Sequence, residues 1–267
     1  MSRAVPADMR ELAADLTAET SDLTSMVRSL DEPGWRTPTP AVGWTVADQV
    51  SHLAFFDDAA ARSATDPEGF TAEFAHMAEA GEPGPDDIAE RYRSLAGAEV
   101  LAWFTESRRR LTETFAGLDP SLRLPWFGPP MSAASSLTAR IMETWAHGQD
   151  VADALEITRI PTARLRHVAH ISVRALPYSF VVRGLSVPAE PVRVELSGPS
   201  GESWTWGPPQ AANVVAGPAL DFCLLATQRR HRDDTAVTAV GDVADAWLSI
   251  AQAFAGPPGQ GRPARSR

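Results

Sequence analysis

The sequence contains no lysine, so all 24 of its permanently basic side chains are arginines. Schiff-base chemistry and lysine general bases are therefore excluded. The chain also has a single cysteine, Cys223, which excludes an internal disulfide bond and a metal site built from thiolates alone. Because Cys223 lies in the apolar run ALDFCLLA, we expect a small buried side chain and not a nucleophile.

Long apolar runs and an excess of positive charge are also absent. No apolar stretch approaches the roughly 20 residues that cross a bilayer, and the N-terminal residues turn acidic before a signal-peptide core could form. The formal net charge of -10 argues against nucleic acid as a partner, because phosphate backbones are bound by clustered cations. We therefore expect a cytoplasmic protein with no nucleic-acid and no membrane partner.

Periodic apolar residues predict four helices in the first 157 residues. The second helix would begin with a capping box formed by Thr45 and Asp48. Four helices joined by loops are typical of a bundle, which we assign to residues 1–157. The predicted helices cover residues 6–30, 45–65, 85–117 and 135–155.

After the bundle, the apolar pattern changes to the period of two that is typical of strands. Strands mixed with helices predict a small α+β domain at residues 158–256, so the fold class of the whole chain is α+β. Residues 257–267 are rich in Pro, Gly and Arg and predict a disordered tail. The predicted elements of this domain are strands at 192–198, 203–207 and 235–242 and helices at 211–230 and 243–254.

Three ionisable side chains share one face of the fourth predicted helix. Glu143 and His147 are one helical turn apart, and Asp150 follows three residues later. Apolar residues flank this stripe on both sides, although Arg140 and Asp153 interrupt them, so we expect the stripe to face inward. A buried carboxylate needs a cation or several hydrogen-bond donors to offset its desolvation, which favours a metal ion. The alternative is the solvated face of an amphipathic helix.

His52 lies on the second predicted helix among apolar neighbours, which predicts a histidine that faces the core. A bundle would bring its side chain to Glu143 and His147. Two histidines and one glutamate leave a fourth coordination position open, which is the arrangement of a catalytic zinc site. The sequence therefore predicts one ion, zinc or another divalent metal, bound by His52, Glu143 and His147.

The segments GWTVADQVSHLAFFDDAA and METWAHGQDVADAL resemble the DinB-like metal-binding bundle of the mycothiol-dependent maleylpyruvate isomerase family. The resemblance implies that a histidine of the second helix and the Glu-x-x-x-His pair of the fourth bind zinc, and these are the same three residues. The C-terminal half is similar in outline to the second domain of that family, which is related to sterol carrier protein type 2. There the resemblance implies that Arg229, or else Arg230, helps to hold the thiol; the alternative is a solvated helix end.

The resemblance also implies mycothiol, a low-molecular-weight thiol of actinobacteria, and a lysine-free, arginine-rich chain fits such a source. Zinc would lower the pKa of the bound thiol, which would then add to a small electrophilic molecule. Our leading hypothesis is a zinc-dependent enzyme that transfers the thiol to this electrophile or uses it for an isomerisation. Asp150 would orient His147 or a bound water molecule, and we expect a monomer or a weak dimer.

Two other functions remain open at this point. One is a zinc-dependent hydrolase that uses metal-bound hydroxide, with Asp150 as the base. The other is a non-catalytic metal or ligand-binding module, whose C-terminal domain would carry an apolar molecule in a cavity lined by Trp204, Trp206 and Trp126.

Overall fold

The computed structural model describes residues 8–79 and 84–265, with the side chains of residues 76–79 excepted. The chain divides into two units, Met1–Arg159 and Ile160–Arg267. The first unit is mainly helical and the second combines helices with a sheet, which confirms the predicted α+β fold class. None of the helices in the described ranges has the length and apolar character that spanning a membrane requires.

The first unit is built on four long helices, α1, α3, α6 and α7, that pack on one another as the predicted bundle. Shorter helices and a two-stranded antiparallel sheet fill the connections between them. The elements are α1 (Met9–Val27), α2 (Glu32–Trp35), α3 (Val46–Thr65), α4 (Pro67–Glu79), α5 (Pro85–Tyr92), α6 (Gly97–Phe115), β1 (Arg123–Leu124), β2 (Met131–Ser132) and α7 (Ala133–Ala154).

Two apolar clusters of described residues lie in the interior of the bundle. One includes Leu16 and Ile141, and the other includes Leu23 and Val151. Between the clusters each long helix carries buried or half-buried polar side chains, so the middle of the bundle is a polar layer between two apolar ones. The polar residues at this level include Thr20, His52, Asp57, Arg108, Arg140, Glu143, Thr144 and His147.

The prediction of one helix at 85–117 was wrong. The chain forms α5 and α6 instead, separated by a turn at residues 93–96, and α4 was not predicted. The turn contains no proline or glycine. Two glutamate carboxylates accept hydrogen bonds from backbone N–H groups at the start of α6: Glu99 accepts from Ala96, and Glu32 accepts from Gly97. Because Glu32 lies 65 positions away in the sequence, local periodicity could not indicate this helix start.

Helix α3, which carries His52, begins as predicted. The Thr45 side chain accepts from the backbone N–H of Asp48, and the Asp48 carboxylate accepts from that of Thr45, so the capping box is confirmed. We expect Thr45→Ala to lower the free energy of unfolding by about 0.5–2 kcal/mol. Thr105→Ala, in the exposed middle of α6, should change it little. Urea titration of both variants measures the free energy of unfolding. Equal unfolding midpoints for the two variants would show that the cap does not stabilise the protein.

The second unit contains a four-stranded sheet in the order β4-β3-β5-β6. Strand β3 pairs antiparallel with β4 and parallel with β5, and β5 pairs antiparallel with β6. Residues 257–265 contain no helix or strand, yet Gly259 is hydrogen-bonded to Gln252 and Arg183. The elements are α8 (Leu165–Arg174), α9 (Leu176–Val181), β3 (Val192–Ser197), β4 (Ser203–Trp206), β5 (Asn213–Pro218), α10 (Ala219–Ala226), β6 (Thr238–Val240) and α11 (Asp242–Ile250).

The helix predicted at 211–230 was also wrong. Its first part is the strand β5, and helix α10 begins only after Pro218. Two features of the segment explain the difference. The β-branched residues Val214 and Val215 favour a strand, and Gly217 adopts a φ of 153°, which is incompatible with a helix. Proline then serves as the N-cap of α10, where its missing N–H costs nothing.

Candidate metal centre

Helices α3 and α7 bring together the three side chains that the sequence singles out. The Glu143 Oε2 atom lies 3.1 Å from His147 Nε2 and 4.0 Å from His52 Nε2. One ligand atom from each of the three residues can be chosen so that all lie within 4.8 Å of one another. The helical spacing of Glu143 and His147 places both on the inner face of α7, and His52 faces them from α3.

The site is mostly buried but open on one side. The side chains of His52 and His147 are 10% and 11% exposed, whereas that of Glu143 is 22% exposed. The carboxylate therefore stands at the rim of the site and the two imidazoles form its floor. This confirms that the stripe on α7 faces inward and is not the solvated face of the helix.

The charge state of Glu143 suits a cation. Burial raises the pKa of this carboxyl group, but the hydrogen bond and charge of His147, followed by the charges of Arg140 and His52, outweigh burial and lower the pKa to about 2. The group is therefore ionised throughout the physiological pH range. A half-buried carboxylate at this position presents negative charge to the space between the two imidazoles.

Two aromatic side chains hold the imidazole rings. The Trp44 ring stacks on that of His147 with centroids 5.9 Å apart, and it also lies 5.2 Å from the His52 ring. Phe56, one turn after His52, lies 4.7 Å from the same ring on α3. Trp44 is itself fixed because its indole N–H donates to Asp86 of α5. These contacts restrict the orientation of both imidazoles before any ligand binds.

The donor set fits a zinc-sized ion. Zinc is bound by imidazole nitrogens and carboxylate oxygens at about 2.0–2.2 Å, so the ligand atoms of a tetrahedral site lie roughly 3–4 Å apart. The observed separations reach this range or exceed it slightly, and side-chain movements of less than about 1 Å would complete the geometry. Magnesium and calcium prefer oxygen ligands, so two imidazoles favour zinc or a similar transition metal.

Comparison with known protein families shows which family the chain belongs to. A family model described as the mycothiol maleylpyruvate isomerase N-terminal domain matches residues 16–152. The chain belongs to this family. The match runs from the middle of α1 to the last turn of α7 and includes all three side chains of the site, so the predicted resemblance is confirmed. A second family model, described as wyosine base formation, matches residues 188–240 in the second unit.

Individual proteins and solved structures are also similar to this chain. Two uncharacterized proteins of Mycobacterium tuberculosis, from strains H37Rv and CDC 1551, are each 51% identical to this chain over 257 residues, which is 96% of this chain and all of theirs. A crystal structure of the mycothiol-dependent maleylpyruvate isomerase matches with a TM-score of 0.58 and 20% identity over 87% of this chain and 93% of that chain. A variant of that isomerase, with one histidine replaced by alanine, also matches with a TM-score of 0.58. The isomerase therefore has the same fold.

The hydrogen-bond partner of His147 at Nδ1 is a residue that the sequence did not indicate. His147 Nδ1 contacts the side-chain oxygen of Gln49, a fully buried residue of α3. The sequence predicts this orienting role for Asp150, which is buried on α7; that role stays a prediction. Gln49 could have been suspected because it lies three residues before His52, but an uncharged side chain carries no metal-ligand signal in a sequence.

The predicted thiol-binding arginines lie in the second unit. Arg229 and Arg230 follow the end of α10, where Gln228 adopts a left-handed φ of 61° and the Arg229 N–H donates to the carbonyl of Leu224. Their guanidinium groups donate to the carbonyls of Thr227 and Arg229, respectively. Both side chains are half-buried, and their role in holding a thiol stays a prediction.

Four further predicted residues can be placed. Cys223 is fully buried, and burial raises the pKa of its thiol, which confirms a packing residue and not a nucleophile. Trp204 and Trp206 belong to β4, and Trp206 donates its indole N–H to His170. Trp126 lies in the first unit and stacks on Phe70 there. The suggestion that these three tryptophans line a cavity stays a prediction.

Proposed function

We propose that this chain is an enzyme that binds one zinc ion through His52, Glu143 and His147 and uses a low-molecular-weight thiol, mycothiol, on a small electrophilic substrate. The reaction is an isomerisation or a transfer of the thiol. Membership of the mycothiol maleylpyruvate isomerase family and the shared fold of the isomerase support the thiol and the reaction class. The sequence and the site geometry support the metal.

The observation that carries this proposal is the convergence of the three ligand atoms around an opening. Three protein ligands leave a fourth position on a tetrahedral ion, and the exposed side of Glu143 is where an external ligand would enter. A site meant only to stabilise the fold would be closed by a fourth side chain. This arrangement therefore favours catalysis.

Each residue of the site has a definite task in this proposal. His52 and His147 hold the ion from the buried side, and the ionised Glu143 offsets part of its charge. Bound zinc would lower the pKa of a coordinated thiol so that the thiolate exists at neutral pH. Trp44 and Phe56 keep water away from the buried faces of the imidazoles. Because Cys223 is buried, the nucleophilic sulfur has to come from outside the chain.

Metal analysis followed by calorimetry tests the proposal. We expect purified protein to contain about one zinc ion per chain and to release heat on titration with mycothiol. Removal of the metal with a chelator should abolish the heat, and adding zinc back should restore it. Mycothiol whose sulfur is methylated is the matched control and should give little heat.

Other outcomes of this experiment are equally clear. Thiol binding that is unchanged after metal removal would contradict the proposal that the thiol binds to the metal. Hydrolysis of an ester or amide with no thiol present would indicate the zinc hydrolase instead.

A further inference from the structure

The imidazole of His147 ends a chain of buried hydrogen bonds that begins at a main-chain carbonyl. The Trp44 carbonyl accepts from the Thr39 N–H at 2.7 Å and from the Thr39 hydroxyl at 2.9 Å. The Thr39 Oγ1 atom lies 2.8 Å from Gln49 Nε2, and Gln49 Oε1 contacts His147 Nδ1. Both Gln49 and Thr39 are buried.

The direction of each hydrogen bond in this chain follows from the first. A carbonyl oxygen can only accept, so the single proton of the Thr39 hydroxyl is donated to Trp44. Thr39 Oγ1 is then left as an acceptor, and its partner has to be the NH₂ of Gln49. The amide oxygen of Gln49 therefore faces His147, and because that oxygen only accepts, Nδ1 of His147 carries a proton.

The reverse orientation of the Gln49 amide is disfavoured by the same donors and acceptors. It would place the amide oxygen against Thr39 Oγ1, whose proton is already donated to the Trp44 carbonyl, so two acceptors would face each other. Because Gln49 is fully buried, water could not replace the lost hydrogen bond, and the unsatisfied amide would destabilise the folded protein. The hydrogen-bond pattern of the loop before α3 thus determines the orientation of an amide on α3.

We infer that Gln49 is a positioning residue that keeps the proton of His147 on Nδ1 and leaves Nε2 as the atom that binds the metal. This inference rests on the metal centre proposed above. Nε2 is the ring atom that lies 3.1 Å from Glu143 Oε2, so it already faces the site. The proton that Nε2 donates to this carboxylate in the absence of metal is the one that a bound ion would replace, whereas the Nδ1 proton stays on the ring. Stacking on Trp44 at 15° fixes the plane of the same ring. Outer hydrogen bonds of this kind orient metal-binding histidines and increase their basicity.

Three variants test the inference. Gln49→Leu removes the acceptor, whereas Gln49→Glu keeps an oxygen facing Nδ1 and changes only the contact with Thr39, where an oxygen replaces the NH₂ donor. Gln149→Leu is the matched control, because Gln149 is also buried but donates to Asp153. Zinc affinity is measured by competition with a chelator. We expect Gln49→Leu to weaken zinc binding about 10- to 100-fold, and we expect Gln49→Glu and Gln149→Leu to stay close to the parent protein.

A second readout does not depend on metal or activity. In protein labelled with ¹⁵N-histidine, the Nδ1 proton of His147 should give a slowly exchanging signal, both with and without zinc. This signal should persist in Gln49→Glu and in Gln149→Leu and should be lost in Gln49→Leu. A general packing role for Gln49 would affect the leucine and glutamate variants alike and would leave no such contrast.

The outcomes separate this inference from the metal centre itself. Unchanged zinc affinity in Gln49→Leu, or an Nδ1 proton that survives this change, would overturn the inference while the centre stands. A parent protein that binds no zinc but shows the protected Nδ1 proton would overturn the metal centre, and with it the ligand role of Nε2, while the hydrogen-bond chain itself would stand.

Discussion

Glu143→Ala and His147→Ala should each reduce bound zinc from about one ion per chain to less than about a tenth. Each change leaves two protein ligands, which do not retain a zinc ion through purification. Glu143→Ala removes the only carboxylate of the set, so the ion would rest between two neutral imidazoles. His147→Ala also leaves Gln49 without the partner of its oxygen. Elemental analysis after gel filtration measures the metal content directly.

Two control variants accompany these changes. Glu113→Ala removes an exposed glutamate of α6 that pairs with Arg109, and His170→Ala removes an exposed histidine of α8. Both should retain full metal. Circular dichroism should show unchanged helix content in all four variants, because the apolar clusters on either side of the polar layer are intact. Full occupancy in both Glu143→Ala and His147→Ala would end the assignment of the site.

The sequence predicted which three side chains meet, because their signals are local. Glu143 and His147 are one turn apart on a single helix, and a capping box places the start of the helix that carries His52. Apolar periodicity then indicates which face is buried. These features require no knowledge of the partner helix, so α3, α7 and the three candidate ligands followed from the sequence alone.

The residues that support the ligands could not be predicted, because their contacts join distant parts of the chain. Gln49 meets His147 across 98 positions, and Arg140 meets Asp57 across 83. In the sequence, Arg140 counted as an interruption of the apolar flank of the stripe. In the structure it is buried and paired, so the same residue belongs to the polar layer. Only the packing of α3 against α7 shows this.

Asp57 is the residue of this layer whose loss should cost the most stability. Its carboxylate is fully buried, and its two oxygens accept from Arg108 at 2.7 Å and from Arg140 at 2.9 Å. The guanidinium of Arg108 also donates to Thr20 and Thr144, so the network joins all four long helices. Burial lowers the pKa of Arg108, and the negative charge of Asp57 opposes this effect. The negative charge of Asp57 therefore stabilises two buried guanidinium groups.

We expect Asp57→Ala to lower the free energy of unfolding by about 3–5 kcal/mol, because two buried arginines would lose the carboxylate that pairs directly with both. Glu106→Ala is the matched control. Glu106 also faces two arginines, Arg109 and Arg110, but all three side chains are exposed. Water replaces a lost partner at the surface, so this variant should unfold at nearly the same urea concentration as the parent protein. Equal destabilisation of both variants would contradict the role of burial.

A triple variant separates stability from the arrangement of the site. Replacing Asp57, Arg108 and Arg140 together by leucine, methionine and methionine removes every charge of the network, and such apolar replacements of buried ion pairs are often neutral or stabilising. We expect it to recover most of the stability lost in Asp57→Ala. Arg140 also lowers the pKa of Glu143 and donates to the carbonyl of Leu53, beside His52. Because these contacts position α3 and α7, which carry the candidate ligands, the triple variant should still bind zinc more weakly than the parent protein. Zinc affinity equal to that of the parent would show that the network stabilises the bundle but does not arrange the site.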